Sequence, residues 1–293
     1  MVVVKIDGGL GNQMFQYALY LMLLNKYPGS QIDLSVYNSE KFHNGYELQK
    51  VFGTNADVAS CRLVNKLGYY ETTKISKKLK RFYMLFRKKT HIVEGVQGFD
   101  SSIKWVDNAY YDGFWQSPQY FRGMYDEIQK AFQFNGDVVG KNAELIDIAC
   151  KENVAAIHVR RTDFLNKGNS HYVNLGDTQY YQKAISKVLQ KAHTARFFVF
   201  SDDIQWVKKN LAIPNPEYID WNTGSESFRD MQLMSYCKSI IIANSTFSWW
   251  GAFLNPRRIN KFVIAPEKWY RADNIGKRRV IHGDINCEGW DII

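Results

Sequence analysis

Proline and long apolar runs are both scarce in this sequence. Its 293 residues include six prolines and no Gly/Ser or Gln/Asn tract, so no long disordered arm is indicated. The apolar runs are far shorter than the roughly 20 residues needed to cross a bilayer, and no segment is expected to span a membrane. The first residues lack the basic stretch and cleavage site of a secretory signal, so we expect a folded protein of the cytoplasm.

Cysteine is also sparse. The four cysteines lie far apart and form neither a Cys-x-x-Cys pair nor a cluster with histidines. Neither a zinc site nor a disulfide framework is therefore indicated. Free thiols in a reducing compartment are typical of this pattern, which agrees with the expected cytoplasmic location.

The two commonest glycine-rich nucleotide motifs are missing. Residues 8–13 (GGLGNQ) lack both the Gly-x-Gly-x-x-Gly spacing of a dinucleotide fold and the Gly-Lys-Ser/Thr of a P-loop. A nicotinamide-dependent enzyme or an NTPase is thereby disfavoured. These glycines permit close backbone approach to a ligand, although a turn that needs a positive φ is the simpler explanation.

The charge is strongly positive, at +9, which implies an anionic partner without specifying a nucleotide, a nucleic acid or a lipid surface. Eight basic residues fall within residues 74–89, interleaved with leucine and aromatic residues. A basic amphipathic helix of this kind can lie on an anionic membrane face, but an ordinary helix with a solvated basic face explains the pattern equally well. The segment also admits a nucleic-acid-binding protein. No nucleic-acid fold signature is present, so we expect no nucleic-acid partner.

Strand-like runs of β-branched and aromatic residues alternate with helical patterns in both halves of the chain. This alternation predicts an α/β fold with two doubly wound, Rossmann-like domains, residues 1–140 and 141–293, whose parallel sheets are covered on both faces. Ligands of such sheets bind beyond the carboxyl ends of the strands. The strands that matter most are predicted at 2–7, 154–159, 196–200, 239–243 and 262–265.

Two adjacent arginines follow the strand at 154–159. Arg160 and Arg161 belong to the motif HVRRTD, which runs from His158 to Asp163. Guanidinium groups bind phosphate oxygens bidentately and keep their charge when desolvated, which suits a pyrophosphate leaving group. The alternative is a structural ion pair of one arginine with Asp163, expected in part for Arg161.

Two carboxylates, Asp202 and Asp203, follow the strand at 196–200. A carboxylate pairs well with the N1–H and exocyclic amine of guanine, and we assign that contact to Asp203. We assign the N-cap of the following helix to Asp202.

Hydroxyl residues follow the strand at 239–243 and open a helix. Ser245, Thr246 and Phe247 would bring free backbone N–H groups to a phosphate, as helix N-termini often do. A plain helix cap without a ligand is the alternative, and the motif alone does not distinguish the two.

The motifs together resemble those of the α-1,2-fucosyltransferases of glycosyltransferase family 11, over nearly the whole chain. The segments that carry the resemblance are GGLGNQMFQYA (8–18), YYDGFWQSPQYF (110–121), HVRRTD (158–163), FSDDIQWVK (200–208) and NSTFSWWGAFLN (244–255). The resemblance implies a GT-B type architecture, in which an acceptor-side N-terminal domain and a GDP-fucose-binding C-terminal domain face a cleft. It also implies inverting transfer of L-fucose to the 2-hydroxyl of a galactose without a metal or other cofactor, and no DxD-like metal motif is evident.

The resemblance also assigns roles to residues of this chain. Arg160, His158 and Asp163 form the expected catalytic set, with Asp163 first and Asp7 and Asp112 next as general bases. The glycan acceptor is expected at three residues of the first domain, Asp112, Trp115 and Gln116, although aromatic residues more often pack cores. The expected donor contacts are Arg160, Arg161, His158, Asp202, Asp203, Ser245, Thr246, Phe247 and Ser248, with Gly9, Asn12 and Gln13 from the first domain.

Alternatives remain at this point. Another fucose linkage or another nucleotide sugar would suit the same scaffold, whereas a non-catalytic glycan-binding module would have no use for the arginine pair. A lipid-linked acceptor for surface polysaccharide or O-antigen is expected, with residues 74–89 as a possible peripheral contact at the inner membrane face.

Overall fold

The computed structural model describes residues 1–39, 44–68, 90–162, 171–257, 260–275 and 278–293. The basic segment 74–89 and Asp163 lie outside the described residues, so their expected roles stay predictions. The chain divides into two units. The first is Met1–Gln133 with residues 278–281, and the second is Phe134–Ile275 with His282–Ile293.

The described residues form the following strands and helices. The strands are β1 Val2–Lys5, β2 Gln31–Asp33, β3 His91–Val93, β4 Val96–Gln97, β5 Ala109–Asp112, β6 Val154–Val159, β7 Arg196–Ser201, β8 Pro216–Ile219, β9 Ser239–Ile241, β10 Phe262–Ala265, β11 Asn274–Ile275, β12 Arg278–Val280 and β13 Asp291–Ile292. The helices are α1 Leu10–Lys26, α2 Val36–Ser39, α3 Leu48–Phe52, α4 Cys61–Leu67, α5 Tyr125–Ala131, α6 Lys141–Lys151, α7 Tyr180–Lys191, α8 Ile204–Asn210, α9 Phe228–Tyr236 and α10 Thr246–Phe253, with short 3-10 turns at Pro118–Phe121, Leu175–Asp177 and Gly224–Glu226.

The first unit is built on a parallel sheet with the strand order β2-β1-β5-β3. Its centre, β1, is a run of fully buried valines, and α1 packs against it. The carboxyl ends of β1 and β5 are neighbours, so the residues after these two strands lie at one edge of the sheet.

A late strand returns to the first unit. Arg279 and Val280 of β12 pair in parallel with Val96 and Gln97 of β4, and residues 278–281 therefore belong to the first unit rather than to the C-terminal domain. The chain otherwise divides between residues 133 and 134, not between 140 and 141.

The second unit has a six-stranded parallel sheet with the order β13-β10-β9-β6-β7-β8. Numbered within the unit, this is the Rossmann order 3-2-1-4-5-6, whose topological switch point lies between β6 and β9. Every residue of β6 is buried, and the amphipathic α7 buries Tyr181, Ala184 and Val188 in the same core. Each large apolar side chain buried in this way contributes about 1.5–3 kcal/mol.

The prediction of an α/β protein with parallel sheets in two Rossmann-like units is confirmed. Two such units are the components of the GT-B architecture that the motifs imply. Within the described parts of the chain, no helix is long and apolar enough to cross a membrane.

Candidate active site

The switch point of the second unit brings two sequence motifs together. His158 is the next-to-last residue of β6, and Ser245 lies directly before α10, the helix that follows β9. Strands β6 and β9 are hydrogen-bonded neighbours in parallel register. The rings of His158 and Phe247 pack with their centroids 5.9 Å apart. The arginine motif and the hydroxyl motif thus share one edge of the sheet.

Arg160 stands at this edge with part of its side chain accessible. The side chain is 32% exposed, and its Nε lies 3.4 Å from Oδ2 of Asp202. Because a guanidinium stays protonated at any physiological pH, Arg160 supplies a fixed positive charge. That charge lies where the Rossmann order places a bound diphosphate.

Arg161 has a different environment from its neighbour. Its guanidinium stacks 4.3 Å from the ring centroid of Trp206, and its Nε lies 3.4 Å from Oδ2 of Asp203. The side chain is 18% exposed. Arg161 therefore joins the loop after β6 to α8, and the partner that the structure shows for it is Asp203.

The two neighbouring aspartates differ from their expected roles at the N-cap of α8. Asp203, not Asp202, is the N-cap of α8, because its Oδ1 accepts a hydrogen bond from the backbone N–H of Trp206 at 3.0 Å. Asp202 instead accepts from the N–H of Arg161 at 2.9 Å and from the N–H and hydroxyl of Thr162 at 3.1 and 2.6 Å. The assignment of the cap to Asp202 was wrong, since its carboxylate turns to the neighbouring loop. The contact of Asp203 with guanine stays a prediction.

The start of α10 has the properties of an anion site. Ser245, Thr246 and Phe247 are half-buried, and Ser245 makes no side-chain capping bond. The first N–H groups of a helix have no acceptor within it, and the helix dipole favours an anion there. Ser248 does not fit the expected phosphate contact. It is fully buried, and its hydroxyl accepts from Ala243 N–H at 3.2 Å and donates to the Ser245 carbonyl at 3.3 Å.

His158 is neutral in this environment. Burial, followed by the charge of Arg160, lowers the pKa of its imidazole to about 3. Its Nδ1 is buried without a hydrogen-bond partner in the described protein. An unsatisfied polar atom in the protein interior is costly, so an atom like this at a switch point indicates a place where a ligand completes the hydrogen bonding.

Asn244 was missed from the sequence. Its Nδ2 donates to the carbonyls of Val173 at 2.8 Å and Trp269 at 3.0 Å. Its Oδ1 is buried without a hydrogen-bond partner among the described residues. The signal for Asn244 in the sequence was its position as a polar residue directly after a predicted buried strand, next to the hydroxyl residues 245 and 246.

In the first unit, Gln13 is structural rather than a donor contact. It is fully buried; its Nε2 donates to the carbonyls of Gly8 at 3.0 Å and Gly45 at 2.8 Å, and its Oε1 accepts from Glu47 N–H at 2.9 Å. Gly8 has φ +80°, and a Cβ there would lie 2.8 Å from Nδ2 of Asn12. The turn therefore requires glycine, while Gly9 precedes α1 as its N-cap. The donor roles of Gly9 and Asn12 stay predictions.

The structure contradicts two of the three expected acceptor contacts. Trp115 is fully buried, with its ring 5.4 Å from that of Tyr120 and 6.2 Å from that of Trp105. Gln116 is also buried, and its amide accepts from Gln97 at 2.6 Å and donates to Asn12 at 2.8 Å. Both side chains make contacts within the protein interior and expose too little surface to bind a sugar.

Asp112, the third expected acceptor contact, ends β5 in a charged cluster. Its carboxylate lies 3.1 Å from Nζ of Lys5 and 3.2 Å from Nε2 of His91. Burial opposes its ionisation, but the hydrogen bond with His91 and the charge of Lys5 outweigh burial and lower the pKa. Lys5 also lies 3.0 Å from Asp7, so two candidate bases share one cation. A lowered pKa makes Asp112 a weaker base, and its role as acceptor contact stays a prediction.

Glu94 and Arg278 form an ion pair that the sequence did not indicate. The fully buried carboxylate of Glu94 accepts from the N–H groups of Phe114 and Trp115, each at 2.9 Å, and lies 3.5 Å from a guanidinium nitrogen of Arg278. Burial raises the pKa of Glu94 to about 7. The hydrogen bonds from these N–H groups and the charge of Arg278 act in the opposite direction and limit the increase. The pair is 184 positions apart in sequence, and only the return of β12 brings it together.

Among the described residues, no group of three or more His, Cys, Asp or Glu side chains has the arrangement of a metal site. The expectation that no metal or other cofactor is needed was not tested by this and stays a prediction.

Comparison with known proteins gives a consistent family. The sequence model of glycosyl transferase family 11 matches residues 64–286. The chain is 31% identical to an α-1,2-colitosyltransferase of Escherichia coli, over 94% of both chains. It is 29% identical to the O-antigen biosynthesis glycosyltransferase WbnK of Escherichia coli, over 93% of this chain and 96% of the relative.

Among solved structures, the chain is similar to the NodZ α-1,6-fucosyltransferase soaked with GDP-fucose. The TM-score is 0.46 and the sequence identity 16%, over 87% of this chain and 92% of that chain.

Proposed function

Since the chain belongs to glycosyltransferase family 11, we propose that it transfers L-fucose from GDP-fucose to the 2-hydroxyl of a galactose in a glycan acceptor. The observation that carries this proposal is the position of Arg160. It stands after β6 at the switch point of a Rossmann-ordered sheet, on the edge where α10 begins. A fixed cation and a helix N-terminus at one edge suit a nucleoside diphosphate.

In the proposed reaction, the acceptor hydroxyl attacks C1 of the sugar while the bond from C1 to the β-phosphate oxygen breaks. The configuration at C1 inverts, and GDP leaves with the bonding electrons. Arg160 and the N–H groups at the start of α10 oppose the negative charge that develops on the diphosphate. His158, neutral at physiological pH, offers its ring nitrogen for a hydrogen bond and adds no charge.

The proton of the acceptor hydroxyl passes to a base or to water. Asp163 remains the first candidate base from its motif, with Asp7 next. Asp112 is a weaker candidate, because Lys5 and His91 lower its pKa. A base contributes less if leaving-group departure dominates the transition state.

GDP-colitose is the second candidate donor. Colitose is L-fucose without its 3-hydroxyl, and the α-1,2-colitosyltransferase of Escherichia coli is 31% identical to this chain. The two donors share the GDP group and the 6-methyl group, so the contacts described above suit both. The O-antigen biosynthesis relative WbnK also supports an acceptor that belongs to a surface polysaccharide. We propose that the chain acts on it in the cytoplasm, with residues 74–89 as a peripheral contact to anionic lipid.

The test is a transfer assay with lactose as acceptor and EDTA in the buffer. GDP-fucose, GDP-colitose, GDP-mannose and UDP-galactose are compared, and the product linkage is determined by NMR. We expect 2′-fucosyllactose from GDP-fucose despite the chelator. Transfer from UDP-galactose alone would contradict the donor, and loss of activity with EDTA would contradict metal independence. If no donor is used, calorimetry with GDP separates a wrong acceptor from a wrong function, because a chain that does not bind GDP is not a GDP-sugar transferase.

A further inference from the structure

Two loops of the second unit meet above the carboxyl end of its sheet. Tyr172, in the loop after β6, forms an antiparallel bridge with Tyr270, in the loop after β10. The backbone N–H of Val173 donates to the Trp269 carbonyl at 3.0 Å, and that of Arg271 donates to the His171 carbonyl at 2.8 Å. The two loops are thereby fixed to each other although about 100 residues separate them.

Asn244 places this bridge next to the candidate phosphate site. Its Nδ2 donates to the carbonyls of both loops, at Val173 and Trp269, and the next residue, Ser245, is the N-cap of α10. The bridge therefore lies over the end of β9, beside the first turn of α10. Nε of Arg271 donates to the Tyr172 carbonyl at 2.8 Å, which gives the bridge one more constraint.

Three aromatic rings gather on the bridge. The ring of Tyr172 lies 4.4 Å from that of His171 and 5.0 Å from that of Tyr270, and the His171 and Tyr270 rings are nearly parallel. Tyr270 is buried, whereas His171 and Tyr172 are half-buried and keep part of their surface accessible. We call these three residues the aromatic cluster.

We propose that the aromatic cluster binds the sugar of the donor and is a subsite for a 6-deoxy-L-hexosyl group. This inference rests on the proposed function. In the Rossmann order, the nucleoside lies over the first strands of the unit, here β6 to β8, and the phosphates lie at the switch point. With the diphosphate between Arg160 and α10, the sugar extends to the side of β9 and β10, where the aromatic cluster lies.

The chemistry of the cluster suits such a sugar. The C–H groups and the C6 methyl of L-fucose or colitose form an apolar surface, and aromatic rings pack well against apolar surface of this kind. A sugar with a 6-hydroxyl would lose the hydrogen bonds of that hydroxyl to water when it packs against the rings. This loss disfavours the 6-hydroxylated sugar.

The test measures GDP and GDP-fucose binding by calorimetry for the wild type, Tyr172→Leu and Tyr172→Phe. Tyr218→Leu is the matched control, since Tyr218 is a half-buried tyrosine of β8 in the same unit. We expect Tyr172→Leu to weaken GDP-fucose binding about three- to tenfold while the Kd of GDP is unchanged. Tyr172→Phe keeps the aromatic ring, so we expect it to retain the wild-type ratio of the two Kd values. The control Tyr218→Leu should retain the same ratio.

The unchanged Kd of GDP also shows that the variant is folded. If Tyr172→Leu changes the Kd values of GDP and GDP-fucose by the same factor, or changes neither of them, the inference is overturned while the proposed function stands. If the wild type binds neither ligand, the proposed function itself fails, and the inference fails with it. The second measurement uses GDP-L-galactose, which differs from GDP-fucose by a 6-hydroxyl. We expect the wild type to bind GDP-fucose more tightly than GDP-L-galactose, and Tyr172→Leu to reduce the ratio of the two Kd values. A wild type that binds both sugar nucleotides equally well would overturn the 6-deoxy assignment.

Discussion

Arg160 and Arg161 are adjacent in the chain but differ in exposure, with side chains 32% and 18% exposed. Arg161 lies on Trp206 and beside the N-cap of α8, so its substitution would disturb the fold as well as any ligand. Arg160 is more exposed and makes its contact to Asp202 through Nε. The effect of removing a charge from the site is therefore measured most cleanly at Arg160.

We predict that Arg160→Ala lowers kcat/KM for transfer about 10²- to 10³-fold, because the positive charge opposite the departing diphosphate is lost. Arg160→Lys should recover part of this, since an ammonium keeps the charge but not the bidentate geometry. Arg196→Ala is the matched control, because Arg196 begins β7 at the opposite edge of the sheet and pairs with Glu217 at 2.7 Å. Equal kinetics for Arg160→Ala and the wild type would contradict the assigned role.

Single residues also show what a motif cannot specify. Gln13, Gln116 and Ser248 belong to the segments that carry the family resemblance, and each is a polar residue of a type that binds ligands. All three are buried and use their side chains within the protein. The sequence reports which residue types are present but not which way a side chain turns, so motif residues that brace a turn and those that face a ligand look alike.

At the scale of elements, two roles of Asp203 can be measured separately: the N-cap of α8 and the proposed contact with guanine. Asp203 caps α8 through the N–H of Trp206, so Asp203→Ala should reduce the free energy of unfolding by about 1 kcal/mol. Asp203→Asn keeps a capping oxygen and should change stability by only a few tenths of a kcal/mol. It removes the negative charge that the proposed guanine contact needs and should weaken GDP-fucose binding. Urea denaturation and calorimetry measure the two effects. Wild-type affinity in Asp203→Asn would leave Asp203 as a cap alone.

The elements themselves were predicted well where apolar runs are long. The run at 154–159 matches β6, and the run at 262–265 matches β10, because buried central strands need continuous β-branched and aromatic side chains. Strand β12 was missed. Its three residues include two arginines, and its partner β4 is about 180 positions away. No local pattern specifies a pairing of that kind.

For the molecule as a whole, the order of the strands in each sheet shows which strands are neighbours, and local sequence patterns do not contain that information. The sequence predicted which residues follow each strand, but not that β6 and β9 are neighbours or that the loops after β6 and β10 meet at Asn244. Strand order depends on how all crossovers pack together. Asn244 and the aromatic cluster were therefore not predictable from residue types alone, whereas the position of Arg160 was, because this residue directly follows the fully buried strand β6.

The pH dependence of stability is a property of the whole second unit, which contains both His158 and Asp230. The pKa of folded His158 is about 3, against about 6.5 when unfolded. The unfolded chain thus binds the extra proton below pH 6.5, and the free energy of unfolding falls by about 2 kcal/mol from pH 7 to pH 5 on this account. His158→Phe should remove that loss.

Asp230 acts in the opposite direction in the same unit. Burial raises its pKa to about 7, so the folded chain binds the proton first and this carboxyl adds stability as the pH falls below 7. Its side chain keeps some contact with solvent, which reduces the size of the effect. Asp230→Asn, the matched variant, should therefore make stability fall more steeply between pH 7 and pH 5, whereas His158→Phe makes it fall less steeply or rise. Urea denaturation at several pH values measures both slopes, and a slope for His158→Phe equal to that of the wild type would contradict a buried neutral histidine at the switch point.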